Sequence, residues 1–164
     1  EDCKILAETL IQKQLVDNRK VVICGNSAGG FTAINALKES NIFKAAICKY
    51  PVIDLEEMHA NTHRFEKNYL GTLIGDFNSN QNLYTLRSPL HNISKINKPI
   101  LFFHGKKDYV INYKQTKNFH NIVSKKNYSE LYLFEDEGHG FKDMNNKVFV
   151  LQKTEIFLRK ILNY

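Results

Sequence analysis

Ser27 stands in the stretch Cys24-Gly25-Asn26-Ser27-Ala28-Gly29-Gly30, a single hydroxyl set among glycines. It follows the apolar run Val21-Val22-Ile23 and precedes a helix-compatible stretch from Phe31 to Glu39, so the local order is strand, tight turn, helix. A serine at such a turn is held out at the end of its strand, and flanking glycines remove Cβ atoms that would collide with the strand and the helix. The helix N-terminus turns free amides toward the same point, where negative charge develops during acyl transfer. A hydroxyl is a weak nucleophile at neutral pH, so this chemistry needs a histidine to take its proton and a carboxylate to fix the imidazole tautomer. On its own the G-x-S-x-G turn fits a close-packed connection equally well, because Gly-Asn and Gly-Gly pairs are ordinary turn punctuation. The base and the acid have to come from elsewhere in the chain.

Two loops offer them. Asp108 closes Gly105-Lys106-Lys107-Asp108, directly after the apolar run Ile100 to His104, and His139 lies in Glu135-Asp136-Glu137-Gly138-His139-Gly140-Phe141, directly after Glu130 to Phe134. In an open parallel sheet the crevice lies beyond the carboxyl ends of the strands, which brings Ser27, Asp108 and His139 to one edge. Asp136 and Glu137 compete for the acid role, but both precede His139 by only two or three residues in the same loop, and that favours Asp108. Among the other histidines, His104 reads as a structural strand end, His59, His63 and His91 lie in an irregular region, and His120 is mid-helix. No histidine pair has metal-ligand spacing with a helical glutamate, so no metal site is expected.

The elements that must carry these residues follow from hydrophobic spacing. Cys3, Leu6, Ala7, Leu10 and Ile11 recur at helical intervals, the stripe of a helix packed on one side. Strands are expected at Lys20 to Cys24, Phe43 to Tyr50, Ile100 to His104 and Glu130 to Phe134. Helices are expected at Phe31 to Glu39, around Tyr113 to Ser124, and from Asn145 to Leu162. The segment from Val52 to Ser88 breaks the alternation and reads as an excursion over the sheet, with Thr62-His63-Arg64-Phe65-Glu66-Lys67-Asn68-Tyr69-Leu70-Gly71 as its most structured part. Strands separated by helices imply an α/β class with a mostly parallel sheet of about four strands covered by helices.

The whole sequence has 164 residues, suited to one domain with a sizeable core, and 43% hydrophobic against 24% charged residues argues against disorder. Its net charge of +6 comes mostly from scattered lysines rather than a basic cluster with interleaved aromatics, so nucleic acid is not expected as a partner. No apolar run is long enough for a membrane helix, and no secretory pattern opens the chain. Cys3, Cys24 and Cys48 show no C-x-x-C spacing and read as buried, reduced thiols of a cytoplasmic setting.

The stretches "GNSAGGFTAINAL", "FKAAICKYPVIDL", "THRFEKNYLG", "SPLHNISKINKPILFFHGKKDYVI" and "FEDEGHGF" carry a more specific signal. Through them essentially the whole chain resembles the C-terminal part of the catalytic domain in the prolyl oligopeptidase family of serine peptidases, especially its acylaminoacyl-peptidase-like or dipeptidyl-aminopeptidase-like branch. The resemblance implies an α/β-hydrolase fold, cleavage of short peptides through an acyl-enzyme on Ser27, and no cofactor. It gives Ala28 one oxyanion donor, its backbone amide, and puts the second donor upstream. Asn26, Phe65 and Tyr69 are the candidates for substrate contact. The family's hydrolase domain normally begins several strands earlier and often carries a β-propeller, so residues 1–164 are expected to form a partial domain. Its first strand would then lie at an open hydrophobic edge that invites association, including homo-oligomers. A missing oxyanion donor costs roughly 10² to 10³ in rate, so these residues alone are expected to be a poor catalyst. A carboxylesterase using the same three residues, and a non-catalytic piece whose sheet edge binds a partner, remain as alternatives.

Overall fold

The computed structural model describes residues 1–61 and 69–164. Its centre is a parallel sheet of β1 (Ile23–Asn26), β2 (Ala46–Lys49), β3 (Ile100–Gly105) and β4 (Ser129–Phe134), hydrogen-bonded in that order. All four therefore end at the same edge. The connections carry α2 (Ala28–Glu39) between β1 and β2, and α6 (Tyr113–Val123) between β3 and β4. Helix α1 (Asp2–Gln12) precedes the sheet and α7 (Met144–Leu162) follows it.

Strand alternation sorts the core into two layers. Ala46, Cys48, Ile100 and Phe102 point to one face, where they meet Ala33, Ile34 and Leu37 of α2 and Phe119 and Val123 of α6. Ile47, Leu101 and Phe103 point to the other, where Val150 and Phe157 of α7 cover them. Both faces of β2 and β3 are apolar for that reason, as a parallel sheet clad by helices requires. The first strand forms later than the apolar run suggests. Its pairing with β2 begins at Ile23 opposite Ala46 and continues through Asn26, so Val21 and Val22 lie before it. The second strand is shorter than expected at both ends: its ladder begins at Ala46, after Phe43 to Ala45, and Tyr50 turns the chain at φ 38° just before Pro51.

The excursion is helical. It contains α3 (Leu55–Asn61), α4 (Tyr69–Ile74) and α5 (Phe77–Arg87), and a third apolar cluster of Val52, Leu55, Leu70, Tyr84 and Ile111 holds it down. A 3₁₀ segment, Pro89–Lys95, returns the chain to β3. Most of the stretch expected to be best structured there, including Phe65, lies outside the described residues. One expectation about surfaces is corrected. Cys48 is buried, but Cys3 on α1 and Cys24 on β1, the outer strand of the described sheet, are exposed. On α7, Val148, Leu151 and Ile156 face outward while Val150 and Phe157 pack inward. No described helix is long and apolar enough to cross a membrane.

Candidate active site

Ser27 occupies the single residue between β1 and α2, with φ 54° and ψ −120°. For a residue with a Cβ that is a strained conformation, of order 1–3 kcal/mol, and it lasts only where the surroundings fix it. They do so from both sides. The Ser27 amide donates to the Lys49 carbonyl at 3.0 Å, and its own carbonyl accepts from Gly30 at 2.9 Å and Phe31 at 3.1 Å. Gly25 and Gly30 make the turn possible, since a Cβ on Gly25 would stand 2.0 Å from the Gly29 carbonyl oxygen and one on Gly30 would stand 2.6 Å from Pro51 Cβ. The second glycine of the G-x-S-x-G pattern, Gly29, faces open space instead. The amide of Ala28, first residue of α2, has no backbone acceptor among the described residues and stands at the exposed head of the helix.

Asp108 and His139 arrive from the ends of β3 and β4. The two loops are bound to each other: the Lys106 amide donates to the Phe134 carbonyl at 2.8 Å and the Lys107 amide to that of Glu137 at 2.9 Å. Exposed ion pairs Lys106–Glu135 and Lys107–Asp136 span the same gap. Gly105 lets them approach, because a Cβ there would meet the Glu137 carbonyl oxygen at 2.2 Å. His139 Nδ1 lies 2.8 Å from Asp108 Oδ2, and its Nε2 lies 2.9 Å from Ser27 Oγ. Three side chains separated by up to 112 positions thus form one continuous hydrogen-bonded line.

The electrostatics fix the direction of that line. The Asp108 side chain has no exposed surface, whereas that of His139 keeps 23%. Burial pushes the Asp108 carboxyl up, but hydrogen bonds from His104, His139 and the Ile111 and Val110 amides outweigh it and hold the group well below the usual carboxylate range. An ionised carboxylate only accepts, so the proton between the two residues sits on His139 Nδ1. That leaves Nε2 as the acceptor, and Ser27 Oγ–H donates to it. This is the arrangement in which an imidazole can take the serine proton while the buried carboxylate stabilises the imidazolium that results.

The profile of the prolyl oligopeptidase family matches residues 1–164. The chain belongs to this family. Among solved structures it is similar to a Mycobacterium tuberculosis puromycin-hydrolyzing peptidase, 31% identical with a TM-score of 0.96, over 100% of this chain and 25% of that one. Among curated proteins it is similar to the acylamino-acid-releasing enzyme of Rattus norvegicus, 23% identical over 88% of this chain and 21% of the relative. Another relative is the inactive dipeptidyl peptidase 10 of the same organism, 26% identical over 85% of this chain and 17% of the relative. The chain therefore spans about a sixth to a quarter of the length of these prolyl oligopeptidase relatives. With an inactive relative among them, membership does not by itself carry activity.

Next to Ala28 an apolar cavity of about 150 Å³ opens between Ala28, Phe31, Val52, Leu55, Met58 and Tyr69. Tyr69 thus shares a cavity with the residue that follows Ser27. Asn26 is exposed at the end of β1 next to the serine, and Phe65 lies outside the described residues. The rival acids are drawn away from His139. Asp136 pairs with Lys107 at the surface. Glu137 is buried and turns to the start of α7, accepting from the Lys142 and Asp143 amides at 2.8 and 3.0 Å and from Asn146 Nδ2 at 2.9 Å. Two neighbours of the site have no catalytic role in the sequence reading, where Tyr50 is unassigned and His104 is a structural strand end. Tyr50 packs on the His139 ring at 4.7 Å, and His104 reaches Asp108. An aromatic just after a strand and a histidine four residues before a carboxylate are weak signals without the fold.

Proposed function

We propose that this chain carries the nucleophile, base and acid of a serine peptidase that cleaves short peptides, with Ser27, His139 and Asp108 in those roles. The observation that carries the reading is the unbroken line from Asp108 Oδ2 through His139 to Ser27 Oγ at 2.8 and 2.9 Å. Ser27 Oγ attacks the carbonyl carbon of the scissile bond as His139 Nε2 takes the hydroxyl proton. The carbonyl oxygen becomes an oxyanion, and the Ala28 amide at the head of α2 is the donor offered to it. His139 then hands its proton to the leaving amine, the C–N bond breaks, and an acyl-enzyme remains on Ser27. Water enters, His139 removes its proton, and the tetrahedral intermediate collapses to release the acid and restore Ser27. The apolar cavity beside Ala28 suits an aliphatic or aromatic side chain of the substrate, with Tyr69 on its wall. Residues 1–164 read best as the C-terminal part of a hydrolase domain, in keeping with their share of the relatives' length. The scattered lysines, with no basic cluster, support a peptide substrate over nucleic acid.

A carboxylesterase would use the same three groups. The distinction lies in leaving-group protonation, which an amide needs from His139 and an activated ester does not. The full-length protein is to be assayed on apolar aminoacyl anilides, puromycin and short acyl esters. Anilide or puromycin turnover with kcat/KM within about tenfold of the esters is expected, and ester turnover with no amide cleavage would overturn the peptidase reading.

A further inference from the structure

His104 is fully buried at the end of β3, and each of its ring nitrogens has a partner. Nδ1 lies 2.9 Å from Thr116 Oγ1 on α6. Nε2 lies 3.0 Å from the Ile111 carbonyl and 3.2 Å from Asp108 Oδ2. Both neighbours of Nε2 only accept, so Nε2 carries the proton, and in the neutral ring Nδ1 accepts from the Thr116 hydroxyl. Asp108 therefore sits among four donors. Oδ1 accepts from the Val110 and Ile111 amides, each at 2.9 Å, Oδ2 accepts from His139 Nδ1 at 2.8 Å, and His104 Nε2 stands 3.2 Å from the same oxygen, its one proton shared between Oδ2 and the Ile111 carbonyl.

We propose that His104 is a positioning residue for Asp108: its Nε2–H holds the carboxylate in the orientation that presents Oδ2 to His139, and it shares that oxygen's negative charge with His139. The inference rests on the reading of Ser27, His139 and Asp108 as nucleophile, base and acid. Among the described residues the charged group touching His104 is Asp108; α6 contributes the neutral Thr116, and His139 and Tyr50 lie beyond the carboxylate. Without the second imidazole, Oδ2 would spend its charge on His139 alone. The imidazolium would then be harder to deprotonate, and the carboxylate would lose one of the contacts that fix its rotation.

The alternative is a plain brace tying β3, the 108–111 turn and α6 together. A brace lowers thermal stability when removed but leaves the pH dependence of turnover where it was. The test uses the full-length protein, with the pH profile of kcat/KM as its main readout. His104→Leu is expected to move the acid limb up by on the order of 0.5 pH unit and to lower kcat about tenfold, with KM within about twofold. His104→Gln, whose amide can donate from the Nε2 position, is expected to recover most of both. Thr116→Val is nearly isosteric and removes the donor to Nδ1, which makes Nε2–H a poorer donor. It is expected to shift the limb in the same direction by less, and it decides the matter should the leucine variant fail to fold. ¹⁵N NMR of histidine-labelled wild-type protein is expected to show the His104 proton on Nε2. An acid limb unmoved in Thr116→Val and in folded His104→Leu overturns the inference, as does a glutamine variant no better than leucine, or a proton on Nδ1. Wild-type protein that takes no fluorophosphonate on Ser27 overturns the underlying triad reading instead, whereas the NMR result speaks to His104 independently of activity.

Discussion

Asp108→Asn is nearly isosteric, and the hydrogen bonds around the residue dictate what it does. Oδ1 faces two amide donors, Val110 and Ile111, both at 2.9 Å, so the asparagine must put its carbonyl oxygen there. Its NH₂ group then replaces Oδ2, 2.8 Å from His139 Nδ1 and 3.2 Å from His104 Nε2. A donor facing His139 Nδ1 forces that nitrogen to become the acceptor, and the single ring proton of the neutral imidazole moves to Nε2. That proton now points at Ser27 Oγ, 2.9 Å away, where a lone pair is needed. The base is in place but in the wrong tautomer, for which a loss of about 10³ to 10⁴ in kcat is expected, with KM changed by less than about threefold. The assay is anilide turnover by the full-length protein at neutral pH, run beside the rate of fluorophosphonate labelling, and both should fall together. Loss of less than about tenfold in both would refute the tautomer argument and with it the assignment of Asp108 as the acid.

Glycine substitutions should separate the two halves of the serine turn. Gly25→Ala drives a Cβ to 2.0 Å from backbone and should abolish soluble folding, whereas Gly29→Ala meets open space and should raise stability by about 0.5 kcal/mol, read as Tm. Glu137→Ala leaves the Lys142 and Asp143 amides and Asn146 without their buried acceptor and should cost about 2–3 kcal/mol in urea unfolding, with kcat reduced because the same loop carries His139. Glu137 and Asp108 are both held below the usual carboxylate range in the folded state, by hydrogen-bond donors that outweigh burial. Their contribution to stability is therefore complete above the unfolded carboxyl pKa, near 4, and is lost as pH falls below it. Glu137→Gln should flatten the acid side of the stability profile, which equilibrium unfolding between about pH 3 and 6 would read. Tyr69→Ala opens the wall of the apolar cavity and should raise KM for apolar substrates about five- to tenfold with kcat little changed.

How much of this the sequence could carry is clear from particular residues. The meeting of Ser27, Asp108 and His139 at one edge is legible because each lies in the turn or loop after an apolar strand run, and parallel strands bring their carboxyl ends together whatever lies between. The two central strands were legible for a related reason: residues buried on both faces leave an unbroken apolar run. The first strand was misplaced because Val21 and Val22 are as apolar as Ile23, and only the pairing with β2 decides where the ladder begins. The helices of the excursion were missed because α5 has almost no apolar stripe, and its inward residue Tyr84 is held by a cluster of distant side chains. The roles of Glu137 and His104 depend on which donors meet them in space. In sequence Glu137 is a rival for the acid role and His104 a structural strand-end histidine.

The most direct test of the central claim is covalent labelling. The folded full-length protein is treated with a fluorophosphonate, beside Ser27→Ala and His139→Ala, and the modified residue is found by peptide mass mapping. The expected result is one adduct in these residues, on Ser27, absent in the first variant and formed far more slowly in the second. A folded protein that takes up no probe at Ser27, or takes it up as fast without His139, would contradict the account.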